Sequence, residues 1–465
     1  MGEGRGLSRR ALLGWGGGVA AGVAVGAAGG LGLAEVRTPA GPTAGSTTGA
    51  TTGPGGRTAA GAHAFTGARQ AGIVTPAQDR LYLAAFDVTT SDRGALVDLL
   101  RTWTVMAARM TQGLPAGPGG PTGGAYDAPP DDTGEAADLP PAGLTVTFGF
   151  GRSLFVGRPG PDPAAGVDRF GLAGRLPGGL VELPHFAGDA LDPARSDGDL
   201  VVQACADDPQ VAVHAVRNLA RAAFGTATLR WAQLGYGRTS STSTQQATPR
   251  NLFGFKDGTA AVKAEEAEAL EQHVWVPASA AAADAPAVDS GWLTGGSYLV
   301  ARRIRMTIET WDRASLREQE AVVGRTKGAG APLSGGEEFT EPDFAASGRG
   351  GAPLIAADSH VRLAHPSSNG GVRMLRRGYT FTDGNDRLGR LDAGLVFLAF
   401  VTDPRTHYVP MQTALASQDA LSEYLQHTGS GLFAVPPGVT EVPTGPDGTP
   451  VLVADGPFVG EALFR

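Results

Sequence analysis

The chain has 465 residues, enough for two or three domains, of which 42 % are hydrophobic and 18 % charged. Its net charge of −8 excludes a sequence-independent nucleic-acid binder, which needs a basic footprint. One cysteine, Cys205, excludes an intrachain disulfide and argues against a cysteine-ligated zinc or iron–sulfur centre.

Residues 1–34 carry Arg9 and Arg10 ahead of a weakly apolar Gly/Ala run. This reads as a cleaved twin-arginine signal rather than a membrane anchor. That route exports folded proteins, so the expected location is extracytoplasmic: periplasm, cell envelope or secreted. Residues 35–74 are rich in Gly, Thr, Ala and Pro and read as a disordered linker.

Two modules follow, 75–240 and 241–465. The first reads as strand 81–88, helix 93–113, strands 144–151 and 199–206, helix 208–225 with Asp208 as its cap, and strand 226–237. A long surface loop, 113–143, interrupts it. The second reads as strand 296–310, helix 311–324, an irregular stretch at 348–360, strands 373–382 and 394–402, a mostly helical segment 406–427, and strand 431–435. Repetition of β-α-β-β-α-β implies an α+β fold of two ferredoxin-like modules with antiparallel sheets. Such an architecture fixes no function by itself.

The stretch NLFGFKDGTA, residues 251–260, sets Asp257 in a Gly-x-x-Asp-Gly frame behind Phe253 and Phe255. A carboxylate among aromatic neighbours is costly unless paired or hydrogen-bonded. Eight histidines include no His-Glu-x-x-His, but His360 and His365 stand close together, and Arg376 and Arg377 follow. A lone histidine is more often structural than a ligand, and spacing alone selects neither.

The blocks GFKDGT, DSHVRLAHP, LRRGYTF, GLVFLAFVTDPR and EYLQHTGSGLFAVPPG, in this order between about residues 72 and 438, resemble the dye-decolourising peroxidases. They are most similar to the twin-arginine-exported deferrochelatase/peroxidase branch of that family. The resemblance implies one haem b per chain, held in the C-terminal module. It makes His360 the iron ligand, Asp257 the distal acid–base residue and Arg376 the distal arginine. Leu395 and Phe397 would line the distal side, with Gly258, Thr259, Ala260 and the turn His365-Pro366-Ser367 against the haem. Hydrogen peroxide and small aromatic donors such as phenols or dyes would be substrates, and iron release from haem a second activity. Components of an iron-uptake permease are the implied partners, and self-association is implied too. A distal aspartate should sustain activity at acidic pH, where an imidazole is protonated.

Two departures stand out. The branch usually has Asn-Pro-Arg where this chain has His365-Pro366-Ser367, so an arginine for a haem propionate is missing and His365 rivals His360 as ligand. Gly378 stands where other subfamilies carry Asn. Tyr379, Tyr408, Tyr424 and Trp311 are either core packing or an electron relay to the surface. Asp419 or Glu423 is a candidate acceptor for the imidazole of His360. The rival function is an extracytoplasmic haem carrier without peroxidase turnover.

Overall fold

A computed structural model of the chain describes residues 61–158, 166–284 and 288–465. The expected signal, and the expected linker as far as residue 60, lie outside them. The remainder of that linker is not a free tether. Phe65 and Ile73 are buried, and the amide of Gln70 bonds the carbonyls of Phe148 and Pro436, both at 2.9 Å.

The first half contains β1 (Arg80–Val88), α1 (Arg93–Met110), β2 (Thr145–Gly151), β3 (Leu200–Ala206), α2 (Pro209–Ala222) and β4 (Ala227–Arg238), in the expected order. Helix starts follow the capping rule. Asp92 accepts from Gly94 N ahead of α1, and Asp208 from Gln210 N ahead of α2. The second half contains β5 (Ser297–Met306), α3 (Leu316–Val323), α4 (His360–Leu363), β6 (Leu375–Arg376), β7 (Tyr379–Asn385), β8 (Leu391–Val401), α5 (Val409–Gln418) and β9 (Leu425–Val435).

Several expected boundaries shift. The strand expected to reach residue 310 ends at Met306, and Ile308–Trp311 is helical; the strand expected at 373–382 is broken between Arg376 and Tyr379. The helix expected at 311–324 is broken: Ser315 caps a fresh helix by accepting from Glu318 N, and Gly324, at φ +85°, ends it. The helix expected to reach residue 427 ends at Gln418; Asp419 is extended, a short 3-10 turn covers Ala420–Tyr424, and from Leu425 the chain pairs with β5 (Met306 to Leu425, Arg305 to Gln426). Gly429 and Gly431 are poor helix formers, and the ladder wins.

The expectation of separate sheets is corrected. All strands join one antiparallel sheet in the order β5-β9-β2-β3-β1-β4-β7-β8-β6, and β5 also pairs with β8, which closes the ring. Two short seams join the halves: Phe150 with Ala434 and Gly151 with Phe433 on one side, Tyr236 with Thr380 and Arg238 with Tyr379 on the other. Side chains alternate between two cores. Leu81, Leu83 and Ala85 of β1 point to a cluster shared with Leu299, Phe381, Leu398, Phe400 and Phe433. Ala84, Phe86 and Val88 point to the cluster under α1 and α2, around Trp103 and Leu219. β2 and β3 are buried along their whole length, with Thr145, Thr147 and Gln203 as the polar residues among them.

Candidate active site

A cavity of about 530 Å³ opens beside β8, in the size range that encloses cofactor-sized ligands. All its lining residues lie between Asn251 and His427. Of the residues singled out from sequence, Asp257, Gly258, Thr259, Ala260, His360, His365, Pro366, Arg376, Leu395 and Phe397 line it. Ser367 does not; its hydroxyl is 2.8 Å from His365 Nδ1.

Asp257 is held at both oxygens. Arg376 Nη2 donates to Oδ1 at 2.6 Å and Asn251 Nδ2 donates to Oδ2 at 3.1 Å. Asn251 is a residue the sequence reading missed. A bridge between Arg250 and Lys256 folds the chain back on itself, so a residue six positions before the aspartate lands beside it. The next residue must be glycine. Gly258 has φ +78°, and a Cβ there would lie 2.7 Å from Ser240 Cβ. Lys263 braces the same turn from below: buried, it donates to Ser241 O at 2.7 Å, Ser241 Oγ at 2.8 Å and Gly258 O at 3.2 Å. Burial, with the charge of Arg376 second, pulls its ammonium down to about 8.

Strand alternation separates the two arginines. Arg376 pairs with Ala399 on β8 and reaches the cavity, where its guanidinium lies 5.5 Å from the Phe397 ring centroid. Arg377 is fully buried elsewhere, bonding the Thr75 carbonyl and Gln78. Gly378 is a steric necessity: a Cβ there would meet Thr239 Oγ1 at 2.6 Å.

His360 opens the one-turn helix α4. Its Nδ1 is 2.6 Å from Asp419 Oδ2, while Asp419 Oδ1 accepts from Leu421 N at 2.8 Å. Asp419, not Glu423, is therefore the imidazole's partner. Burial opposes charge on His360, but the charge and hydrogen bond of Asp419, helped by Asp257, outweigh it and raise the pKa above the ordinary imidazole value. Its Nε2 has no hydrogen bond among the described residues, and 34 % of the side chain is open. His365 differs. Its Nδ1 holds Ser367 and its Nε2 lies 3.0 Å from Glu341 Oε1, so both nitrogens are engaged.

The aromatic residues are packed. Trp311 stacks on Phe253 at 4.3 Å and meets Tyr424 edge-on at 5.0 Å, and the Tyr424 hydroxyl donates to Glu318 at 2.9 Å. Tyr379 is wholly buried, and Tyr408 lines the cavity beside Phe397.

This arrangement can ligate a metal through one imidazole nitrogen and move a proton at a charge-paired carboxylate. The sequence comparisons agree with that chemistry. The N-terminal part of the Dyp-type peroxidase family matches residues 70–237, and the C-terminal part matches residues 248–440. The chain belongs to the Dyp-type peroxidase family.

It is thus a haem-dependent peroxidase. Among relatives, the deferrochelatase of Escherichia coli O6:K15:H31 is 36 % identical over 405 residues, covering 86 % of this chain and 87 % of that one. The deferrochelatase of Yersinia pseudotuberculosis is 36 % identical over 380 residues, 81 % of this chain and 82 % of that one. Among solved structures, ferric DtpA from Streptomyces lividans is 38 % identical with a TM-score of 0.71, covering 87 % of this chain and 97 % of that chain. The DyP-type peroxidase from Cellulomonas bogoriensis is 36 % identical with a TM-score of 0.70, covering 87 % and 98 %.

Proposed function

We propose that one haem b occupies the cavity, with His360 as iron ligand, Asp257 as the acid–base group and Arg376 as its fixed charge. The observation that carries this reading is the pairing of a free imidazole nitrogen with a second, carboxylate-based site in one cavity. Asp419 fixes the ring of His360 and makes it more basic, as partners of ligating imidazoles do. His365, with both nitrogens engaged, is the weaker ligand candidate.

When bound, the haem supplies the reduction of hydrogen peroxide and the one-electron oxidation of donors such as phenols or dyes. Asp257 would take a proton from one oxygen of hydrogen peroxide and return it to the other as the O–O bond breaks. Arg376 orients that carboxylate and offsets the negative charge that develops as the oxygens separate. Leu395 and Phe397 supply an apolar wall on this side, and Gly258, Thr259 and Ala260 run along it.

The strand orders β2-β3-β1-β4 and β9-β5-β8-β7 support reading the halves as two ferredoxin-like modules, divided near residue 240. Lining residues drawn only from 251–427 support a haem site in the C-terminal one. Arg9 and Arg10 support twin-arginine export, with the mature protein outside the cytoplasm. The deferrochelatase relatives support a second activity, in which iron leaves haem and two protons take its place on an intact porphyrin. On that reading an iron-uptake permease is the partner.

A carrier needs no paired aspartate and arginine in its cavity, and Asp257→Ala separates the readings. The haem-loaded variant should retain haem and lose dye oxidation by about 10²-fold or more. Full turnover in Asp257→Ala would remove the acid–base role. Anaerobic incubation with haem kept ferrous by added dithionite, and a ferrous-iron chelator, should yield metal-free protoporphyrin; haem recovered unchanged would remove the iron-release activity.

A further inference from the structure

Four cationic side chains line the cavity: Lys256, Arg325, Arg373 and Arg376. Three are in ion pairs. Lys256 holds Glu338, Arg373 holds Glu266, and Arg376 holds Asp257. Arg325 has no carboxylate partner among the described residues. Its bonds, both from Nη1, go to the backbone carbonyls of Gly330 and Glu338 at 2.8 Å. Burial lowers its pKa, and the more distant Glu338 and Glu341 offset this only in part. An arginine in a cavity wall without a counter-charge is costly, and its fork of donors suits a carboxylate.

Its position is as informative as its charge. Gly324, immediately before it, turns left-handed against Val361 and Ser359 of the segment that carries His360. The loop after it is bonded from the other side by Arg250, which donates to Lys327 O at 2.6 Å and Gly328 O at 2.7 Å and precedes the Asp257 turn. Arg325 therefore sits where the His360 side and the Asp257 side of the cavity meet. A flat ring lying between those sides would present its rim there. The two carboxylates at this rim are already engaged, Glu338 with Lys256 and Glu341 with His365. The guanidinium remains available.

We propose that Arg325 pairs with a propionate carboxylate of the bound haem, in place of the arginine that Ser367 lacks. This rests on the haem reading above. It deepens that reading by assigning the cofactor's charged edge to the rim between α3 and α4.

The test compares haem with its dimethyl ester, in which both carboxylates are capped and neutral. Apoprotein is titrated with each and followed by Soret absorbance. Wild type should bind haem about tenfold more tightly than the ester, the effect of one charge-assisted pair. Arg325→Gln should erase that preference by weakening haem alone. Arg325→Lys, which keeps the charge, should retain part of it and carries the test should Arg325→Gln fail to fold. A preference unchanged in Arg325→Gln, or equal weakening of both ligands in both variants, overturns the assignment. Wild type that binds neither ligand overturns the haem reading itself.

Discussion

Asp419 Oδ2 lies 2.6 Å from His360 Nδ1, and Asp419 is itself almost fully enclosed, with 2 % of its side chain exposed. A buried carboxylate in that position fixes the ring and leaves Nε2 as its free nitrogen. It also pushes electron density toward that nitrogen. Asp419→Asn should therefore weaken haem binding by about 10–100-fold. It should also raise the reduction potential of the bound iron. Unchanged affinity and potential in a spectroelectrochemical titration would make the contact merely structural.

Asn251 predicts a smaller effect on the other side of the cavity. Its amide is one of two donors on Asp257. Loss of one neutral hydrogen bond costs about 0.5–1.5 kcal/mol. Asn251→Ala should slow the reaction with peroxide by about 2–10-fold in stopped-flow measurements and leave haem affinity unchanged. A loss as large as that of Asp257→Ala would mean that Asn251 does more than orient the carboxylate.

Gly258 ties stability to function. A side chain there meets the backbone and Cβ of Ser240 and is strained by the positive φ. Gly258→Ala should lower stability by about 1–3 kcal/mol and reduce activity together, because Asp257 must move with the turn. Wild-type melting and turnover would contradict the tight seat.

Buried histidines make the haem-free protein acid-sensitive. Burial, with the nearby His273 second, holds His407 down to about 4. Burial, with Arg302 second, holds His427 down to about 3. Both lie below the ordinary imidazole value of about 6.5. Between those limits the unfolded chain binds more protons than the folded one. Stability is therefore full above about pH 6.5 and falls as pH drops toward 4, by at most on the order of 3 kcal/mol for His407. His360, raised by Asp419, acts in the opposite direction and offsets part of this. His407→Gln should flatten the acid limb of the melting curve. A limb unchanged by that substitution would place the acid sensitivity elsewhere.

Much of this was readable from residue order. The strands of the first half appear where alternation and capping place them: β2 alternates Thr145 and Thr147 with Val146 and Phe148, β3 is largely apolar, and Asp92 and Asp208 mark helix starts. Closure of the sheet was not readable. It depends on two seams of two residue pairs each, too short to leave a pattern. The start of β9 was hidden for a related reason: LQH looks helical alone, and only its pairing with β5 makes it a strand. In the site, the Asp257, His360 and Arg376 motifs stand out, whereas their supports are distant in sequence. Asp419 is 59 positions from His360, and Arg325 reads as one arginine among many until the fold brings it into the cavity wall, next to a Gly324 that packs against Val361.

The central claim is that His360 carries the iron of a peroxide-reactive haem. The most direct test is the visible spectrum of wild type and His360→Ala purified with haem supplied, before and after one equivalent of hydrogen peroxide. The account predicts a Soret band in wild type that shifts on adding peroxide, and its loss or marked alteration in His360→Ala. An identical spectrum and peroxide response in His360→Ala would contradict it and move the ligand to another residue.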